Sequence, residues 1–583
     1  MQSDRRFVVA LAASLTAAAA LAFAPRIPAQ EGDPAPAPRP PISRLVFELH
    51  TAAGDFPLLL VSPQPMAPLA LPSIGGELAL DPIGLHLLAD GVPDGAGKFR
   101  FVVSRPPGVP IDLHGQALLV TAAGLQLTQP FGVWADGAPL DVVPAPAHPP
   151  AVQERVLPTV PDQPELGVVR APVAVMHDPD RGEDRLVVWL LPEGSAPIAR
   201  QQPGRRVGSA VGSEPSSFVD SSAMSGLSVL AAADSDDFPY RMNCKLWIHG
   251  PNGWFGGSGA LIDPYHVITA GHCVYDPDEL GGIADQILVG PAYDDNRSDP
   301  LPFGTANWYH NATREDPYLM WSGWSQSLNR KHDLAVIELD RPIGALTSWF
   351  GYGYSSDCSF YEANTFYAGS YPIDGHTGND MYWRSGSFDY CPNSYELRFW
   401  RLGYGGESGS GYYWKNAAGD RFVQGVLSHG TTTLWHGDVT DIVKLNADKY
   451  AAIDDFLRAA RPAAADLMPL GVSTSSSSVA RGSTVDFTFR ILNYGRTDFT
   501  SSWSYSIRLS SNQFISATDE VLAVGTSTGD IDSLDVGDLT VTVGIPSGIA
   551  TGTWHLGVIL TASDGNTSNN ATASTDVVAL TIL

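Results

Sequence analysis

Val267-Ile268-Thr269-Ala270-Gly271-His272-Cys273 delivers a histidine just past a glycine, at the end of a short apolar run. A run that short reads as a strand, and the glycine as the turn that closes it. Two later stretches complete the pattern. His332-Asp333-Leu334-Ala335-Val336-Ile337 places a carboxylate at the start of another apolar strand. Gly406-Glu407-Ser408-Gly409-Ser410-Gly411 places a serine in a glycine-rich turn. Each alone is a weak signal. In this order they supply a base, a carboxylate and a nucleophile, the inventory of Ser-His-Asp hydrolysis.

The chemistry explains the residue types. A serine hydroxyl is a poor nucleophile near neutral pH, so an imidazole must take its proton. The imidazole needs one tautomer and support once charged, which a buried carboxylate gives. An oxyanion is best met by fixed backbone N–H groups, and glycines allow the tight turn that aims them. The expected roles are His272 as general base, Asp333 as its orienting partner and Ser408 as nucleophile. The N–H groups of Gly406 and Ser408 are the expected oxyanion hole. The α/β-hydrolase elbow is excluded: G-x-S-x-G needs glycine at 410, where Ser410 stands, and the chain order Ser, Asp, His is absent.

These motifs resemble the chymotrypsin-like serine peptidases, and within them the bacterial glutamyl-endopeptidase (V8-like) branch. Gly257-Ser258-Gly259-Ala260-Leu261-Ile262 leading to Cys273 is similar to that family's strand-turn-histidine segment. His332 to Ile337, continuing through Leu339-Asp340-Arg341-Pro342, resembles its aspartate segment. Gly406 to Ser410 matches its nucleophile loop, and Met381-Tyr382-Trp383-Arg384-Ser385-Gly386 resembles the stretch before it. Phe238-Pro239-Tyr240-Arg241 resembles the entry into the first barrel. The resemblance covers roughly residues 230–460. It implies an all-β fold, a double β-barrel with the site between the barrels and no cofactor. It also implies a polypeptide substrate.

Three positions depart from the family. Glu407 stands where Asp or Asn is usual, so its longer carboxylate needs another partner. Leu427, in Gly425-Val426-Leu427-Ser428-His429-Gly430, stands where Glu-cleaving relatives carry a substrate-facing histidine; a shifted register would let His429 serve instead. Leu402, six residues before Ser408, stands near the aspartate of trypsin-like enzymes, which argues against an Arg/Lys preference. Ser428, His429, Gly430 and Leu402 are therefore the expected substrate-binding residues. Two other readings compete with a peptidase: a non-catalytic adhesion protein on the same scaffold, and an esterase using the same triad.

The net charge is −27, which argues against nucleic acid and anionic membranes as partners and suits solubility. The 583 residues are too many for one core. Residues 1–29, with Arg5-Arg6 before an apolar Ala/Leu run, read as a signal peptide, so secretion to an extracellular or periplasmic space is expected. Residues 30–42 read as a Pro/Ala-rich linker, 43–142 as an N-terminal β module and 143–235 as linker and propeptide, with Arg205-Arg206 as a candidate activation cut. Residues 236–462 hold the catalytic region, ending in a helix capped by Asn446 with Tyr450, Ile453, Phe456 and Leu457 on one face.

Residues 463–583 alternate apolar and polar residues (Val485, Phe487, Phe489, Ile491 and again from Trp503 and Trp554), which predicts an antiparallel sandwich. Asn512 to Leu522 and Gly565 to Asn570 resemble the CARDB type of Ig-like module, which implies contact with a cell surface or matrix. Asp294, Asp295 and Asp299 form an acidic loop, read as solvated in preference to calcium-binding, and no metal site is expected. An even count of cysteines in an exported chain (Cys244, Cys273, Cys358 and Cys391) suggests two disulfides. Three connectivities are open; Cys244–Cys273 with Cys358–Cys391 is favoured, although the resembling family often places the partner of the histidine-loop cysteine nearer the Gly-Ser-Gly turn.

Overall fold

A computed structural model describes residues 173–179, 183–189, 224–231, 234–433 and 437–583. It also describes strand segments at 43–50, 56–62, 65–70, 77–80, 86–88, 92–93, 98–105, 111–121, 124–127, 131–135 and 199–201. The expected signal peptide, Pro/Ala linker and Arg205-Arg206 cut lie outside the described residues.

The fold is all-β, a double barrel with a C-terminal sandwich. The first barrel lays Ala306–Asn311, Gln286–Pro291, Asn243–Gly250, Gly253–Leu261, His266–Thr269, Ala335–Glu338 and Tyr318–Trp321 side by side in that order. Leu246, Ile248, Val267, Ile268, Ile287, Val336 and Ile337 are buried in its core. The second sheet orders Gly351–Tyr354, Arg421–Thr433, Gly411–Lys415, Phe366–Ser370 and Tyr382–Gly386, and Gly437–Lys444 with Glu396–Phe399 extends it from Arg421–Thr433. Its interior is aromatic: Phe366, Phe388, Phe399 and Tyr412 pack around Leu397, Leu427 and Ile442. Small barrels of this kind are filled by side chains, so function lies in the loops and seam between them.

Strands from 143–235, the region read as linker and propeptide, join both sheets. Ala174–Asp178 adds to the edge of the first sheet in antiparallel register with Tyr318–Trp321, Ala174 opposite Trp321. Glu183–Trp189 follows it and pairs in parallel with Ser43–His50. A buried bidentate pair, Arg185 to Glu48 at 3.2 and 2.8 Å, ties those two strands. Ser228–Val229 pairs with Tyr382–Gly386 of the second sheet.

The helix Ala447–Ala460 opens at Asn446, whose side chain accepts from Lys449 N at 3.0 Å, and buries Ile453, Phe456 and Leu457. The C-terminal sandwich faces Leu467–Thr474, Thr484–Asn493 and Val536–Gly544 against five strands that include Trp503–Ser510 and Gly552–Thr561. Val485, Phe487, Phe489, Ile507, Leu509, Leu556 and Val558 fill it, as the alternation requires.

One expected disulfide forms and one does not. Cys358 and Cys391 are bridged, with Cα atoms 5.5 Å apart. Cys244 and Cys273 are free and buried. Their sulfurs face different groups: that of Cys244 the Met242 carbonyl at 3.9 Å, that of Cys273 the Ser408 carbonyl at 3.8 Å. The position that does face Cys273 is Gly257, where a Cβ would stand 3.2 Å from the sulfur. A glycine there offers Cys273 no sulfur for a disulfide.

Candidate active site

His272, the expected base, is carried on a tight turn. The strand His266–Thr269 ends in a single 3-10 turn, Gly271–Cys273, which turns His272 toward the seam. Gly271 has to be glycine, since a Cβ would meet Trp324 at 2.8 Å and Asp333 Oδ1 at 3.1 Å. Asp333 caps another 3-10 turn, Arg330–His332, just before the strand Ala335–Glu338. Its carboxylate is buried and accepts three hydrogen bonds. His272 N donates to Oδ1 at 2.7 Å, and His272 Nδ1 lies 2.7 Å from Oδ2. Ser428 Oγ donates to Oδ2 at 2.5 Å. Burial alone would raise the Asp333 pKa, but the charge of His272 and these hydrogen bonds outweigh it and hold the carboxyl below its ordinary value. The result is an ionised carboxylate fixed on Nδ1.

Ser428 reaches Asp333 because of a β-bulge. The pairing of Arg421–Thr433 with Gly437–Lys444 shifts register between Leu427, opposite Ile442, and His429, opposite Asp441. The extra residue, Ser428, is thereby aimed across the seam, a common use of bulges beside active sites. Ser428 therefore contacts the Asp333 carboxylate, a role its expected place in substrate binding did not foresee. Leu427 is fully buried in the second core. His429 Nδ1 lies 3.2 Å from Ser428 Oγ, and its Nε2 3.3 Å from Asp441, which Arg398 grips at 2.5 and 3.1 Å. Burial and the nearby Arg330 lower the His429 pKa to about 3, so it is neutral at physiological pH. Gly430 pairs with Thr440, and Leu402 is 38% exposed.

Ser408 sits on a loop stitched to the first barrel by Ser258. Ser258 Oγ donates to the Gly406 carbonyl at 2.7 Å, and Ser258 N to the Ser408 carbonyl at 2.8 Å. Gly409, at φ +88, packs so closely that a Cβ would stand 2.1 Å from Thr269 Oγ1. The Gly405 carbonyl accepts from Ile373 N at 2.6 Å, and the Glu407 carbonyl from Ser410 N at 3.0 Å. In a trans peptide the C=O and the following N–H point oppositely. These two bonds therefore turn the N–H groups of Gly406 and Ser408 away from their acceptors. The Ser408 hydroxyl is buried with no hydrogen-bond partner among the described residues, so its bond to His272 is not formed in this state. Such bonds tighten on substrate binding in many hydrolases.

Glu407 finds the partner its length requires. Arg384 Nη2 donates to both carboxylate oxygens, at 3.0 and 2.9 Å, and Tyr404 N to Oε2 at 2.8 Å. The acidic loop is solvated only in part. Asp295 and Asp299 are exposed, with Asp299 accepting from Leu301 N at 3.3 Å. Asp294 is buried, its Oδ1 accepting from Asn296 N at 3.0 Å and its Oδ2 having no hydrogen-bond partner among the described residues. Among the described residues no three His, Cys, Asp or Glu side chains are placed to hold a metal ion.

A His-Asp pair on one barrel and a serine turn on the next is the layout of the chymotrypsin-like peptidases, in the V8-like branch that the motifs resemble. The chain is 32% identical over 175 residues to a glutamyl endopeptidase of Bacillus licheniformis, covering 30% of this chain and 48% of the relative. It is 28% identical over 202 residues to a protein of Bacillus subtilis named an extracellular metalloprotease, covering 34% of this chain and 58% of the relative. The matched segments thus span about half the length of these curated relatives. No protein-family model matches the chain. A solved Glu endopeptidase, in complex with MPD, aligns at 21% identity with a TM-score of 0.32, over 40% of this chain and 95% of its own. The CARDB domain of a Pyrococcus furiosus protein, in complex with di-metal ions, aligns at 12% identity with a TM-score of 0.16, over 21% of this chain and 92% of its own. The metal in the Bacillus subtilis protein's name finds no ligand set of three or more His, Cys, Asp or Glu side chains among the described residues. Among those residues, no helix is long and apolar enough to cross a membrane.

Proposed function

We propose that this chain is a secreted serine endopeptidase that cleaves polypeptides through an acyl-enzyme on Ser408. The observation that carries the reading is the Asp333 carboxylate, buried and fixed on His272 by two hydrogen bonds, with the Ser408 loop clamped across the seam by Ser258. In this reading His272 Nε2 takes the Ser408 proton as Oγ attacks the scissile carbonyl. The oxyanion is met by the Gly406 and Ser408 N–H groups. His272 then protonates the leaving amine and activates the water that releases the acid. No cofactor enters.

Cleavage after glutamate, the activity in the Bacillus licheniformis relative's name, would use a different recognition here. Leu427 is core, and His429 is neutral and engaged with Ser428 and Asp441. Two cations lie near His429: Arg398, matched by Asp441, and Arg330. A broader preference than glutamate alone follows. Cleavage profiling on a peptide library, with Ser408→Ala as control, tests both statements. Ser408-dependent cuts support the peptidase, and a strict acidic preference would refute the broader specificity. Ester turnover without any peptide cut would refute the endopeptidase.

A further inference from the structure

Arg384 and Glu407 form a fully buried ion pair beside the nucleophile, each 1% exposed. Glu407 stands between Gly406 and Ser408, and its carboxylate points inward. It accepts from Arg384, from Tyr404 N and from Ser370 Oγ at 3.3 Å, so both oxygens are occupied. Arg384 comes from the barrel-wall strand Tyr382–Gly386. Besides Glu407, its Nη2 reaches the Leu402 carbonyl at 3.3 Å, and its guanidinium lies 5.0 Å over the Phe399 ring. One side chain thus grips the loop at Leu402 and at Glu407, on either side of the turn that presents Gly406.

Neither charge touches the Asp333-His272 pair. A buried ion pair is a weak source of stability, since apolar residues of like size usually serve as well. Its distinctive property here is positional: Nη2 alone reaches both Glu407 carboxylate oxygens and the Leu402 carbonyl, which fixes the one relative to the other by charge-assisted bonds. The pair is also complete in a chain that still carries its upstream segments. We propose that Arg384 is a positioning residue which, through Glu407, sets the Gly406–Ser408 turn in its working form, and does so in the uncut chain. Latency, where the upstream segments impose it, then acts by covering the cleft and not by leaving the turn unformed. This rests on reading Ser408 as the nucleophile.

The test uses a small fluorophosphonate, which needs the nucleophile and oxyanion N–H groups but little of the cleft. The full chain, checked as uncut by intact mass, is labelled beside the same preparation after limited proteolysis of its upstream segments. Ser408 of the uncut chain should label within about tenfold of the cut one. Arg384→Met should label about 100-fold more slowly or worse, the scale of losing an oxyanion donor. Arg384→Lys should recover part of the rate. The double variant R384M/E407L guards against simple misfolding: it should regain the thermal midpoint but not the labelling rate. Recovery of both would make the pair merely structural and overturn the proposal. So would unchanged labelling of Arg384→Met, or an uncut chain that labels 100-fold more slowly than the cut one. If neither wild-type form labels at Ser408, the peptidase reading falls and the proposal with it.

Discussion

Ser428 and Lys449 show how side chains outside the three motifs bear on the site and on the stability of the fold. Ser428 Oγ is one of three donors on the Asp333 carboxylate. Hydrogen bonds to charged groups contribute about 1.5–3 kcal/mol. Ser428→Ala should therefore slow kcat by roughly 10- to 100-fold, since each ~1.4 kcal/mol of barrier is tenfold. KM should barely move, because the hydroxyl faces Asp333. Steady-state kinetics decide it, and a rise in KM at constant kcat would return Ser428 to substrate binding alone. Lys449 is buried, with its ammonium over the Tyr395 ring at 4.8 Å and no hydrogen-bond partner among the described residues. Burial lowers its pKa to about 7, against the opposing pull of Asp448 and Glu396 and with a further push from Lys444. The folded state thus disfavours the proton that the unfolded chain keeps up to its ordinary value of 10.5. That penalty is complete below about pH 7 and fades as the pH rises toward 10.5. Lys449→Met should raise the melting temperature most at pH 6 and progressively less at pH 8 and 10. A gain that grows with pH would contradict this sign.

Element by element, the sequence was informative where a few consecutive residues carry the whole signal. The histidine turn, the aspartate strand, the glycine-rich serine loop and the Asn446 cap all declare themselves through local turn and capping chemistry. The sandwich declares itself through period-2 alternation. The bulge at Ser428 is illegible because one inserted residue leaves the apolar pattern intact while re-aiming a side chain. The Arg384–Glu407 pair is legible only as a puzzle, a carboxylate longer than the Asp or Asn usual at that position in the family the motifs resemble. The strand Ala174–Asp178 is illegible because its partner, Tyr318–Trp321, lies far along the chain and its own pattern is short. Yet Ala174 and Met176 are buried in the same core as the first barrel. Val173 and Ser322 exchange hydrogen bonds beside it, Ser322 N to the Val173 carbonyl at 2.8 Å and Val173 N to Ser322 Oγ at 3.2 Å. Met176→Asp should place an unpaired carboxylate there and cost about 3 kcal/mol or more. Denaturant unfolding of the full chain checks it. An unchanged midpoint would mean that this strand is a dispensable leader.

For the whole molecule, the junction with the C-terminal sandwich argues against a loosely tethered module. Met468, Leu470, Leu492, Tyr494 and Val536 of the sandwich belong to the same buried cluster as the barrels. Asp263 gathers the junction, accepting on Oδ1 from Tyr265 N at 3.0 Å and Tyr494 OH at 3.2 Å, with His266 Nδ1 2.9 Å away. Arg341 pairs with Asp576 at 2.5 Å, and Arg490 Nη1 donates to the carbonyls of Ala345 and Leu346 at 3.1 and 3.2 Å. Flexible spacers keep few such contacts, and interfaces this apolar transmit unfolding from one side to the other. The catalytic region and the sandwich should therefore melt in one calorimetric transition. The two arginines tie the junction through polar bonds, to the Asp576 carboxylate and to the Ala345 and Leu346 carbonyls, so R341A/R490A should loosen it without removing an apolar core side chain. The double variant should split that transition in two, the sandwich retaining its own midpoint. Two transitions in the unmodified chain would instead mean that the shared core contributes little, and that the sandwich moves as an independent arm.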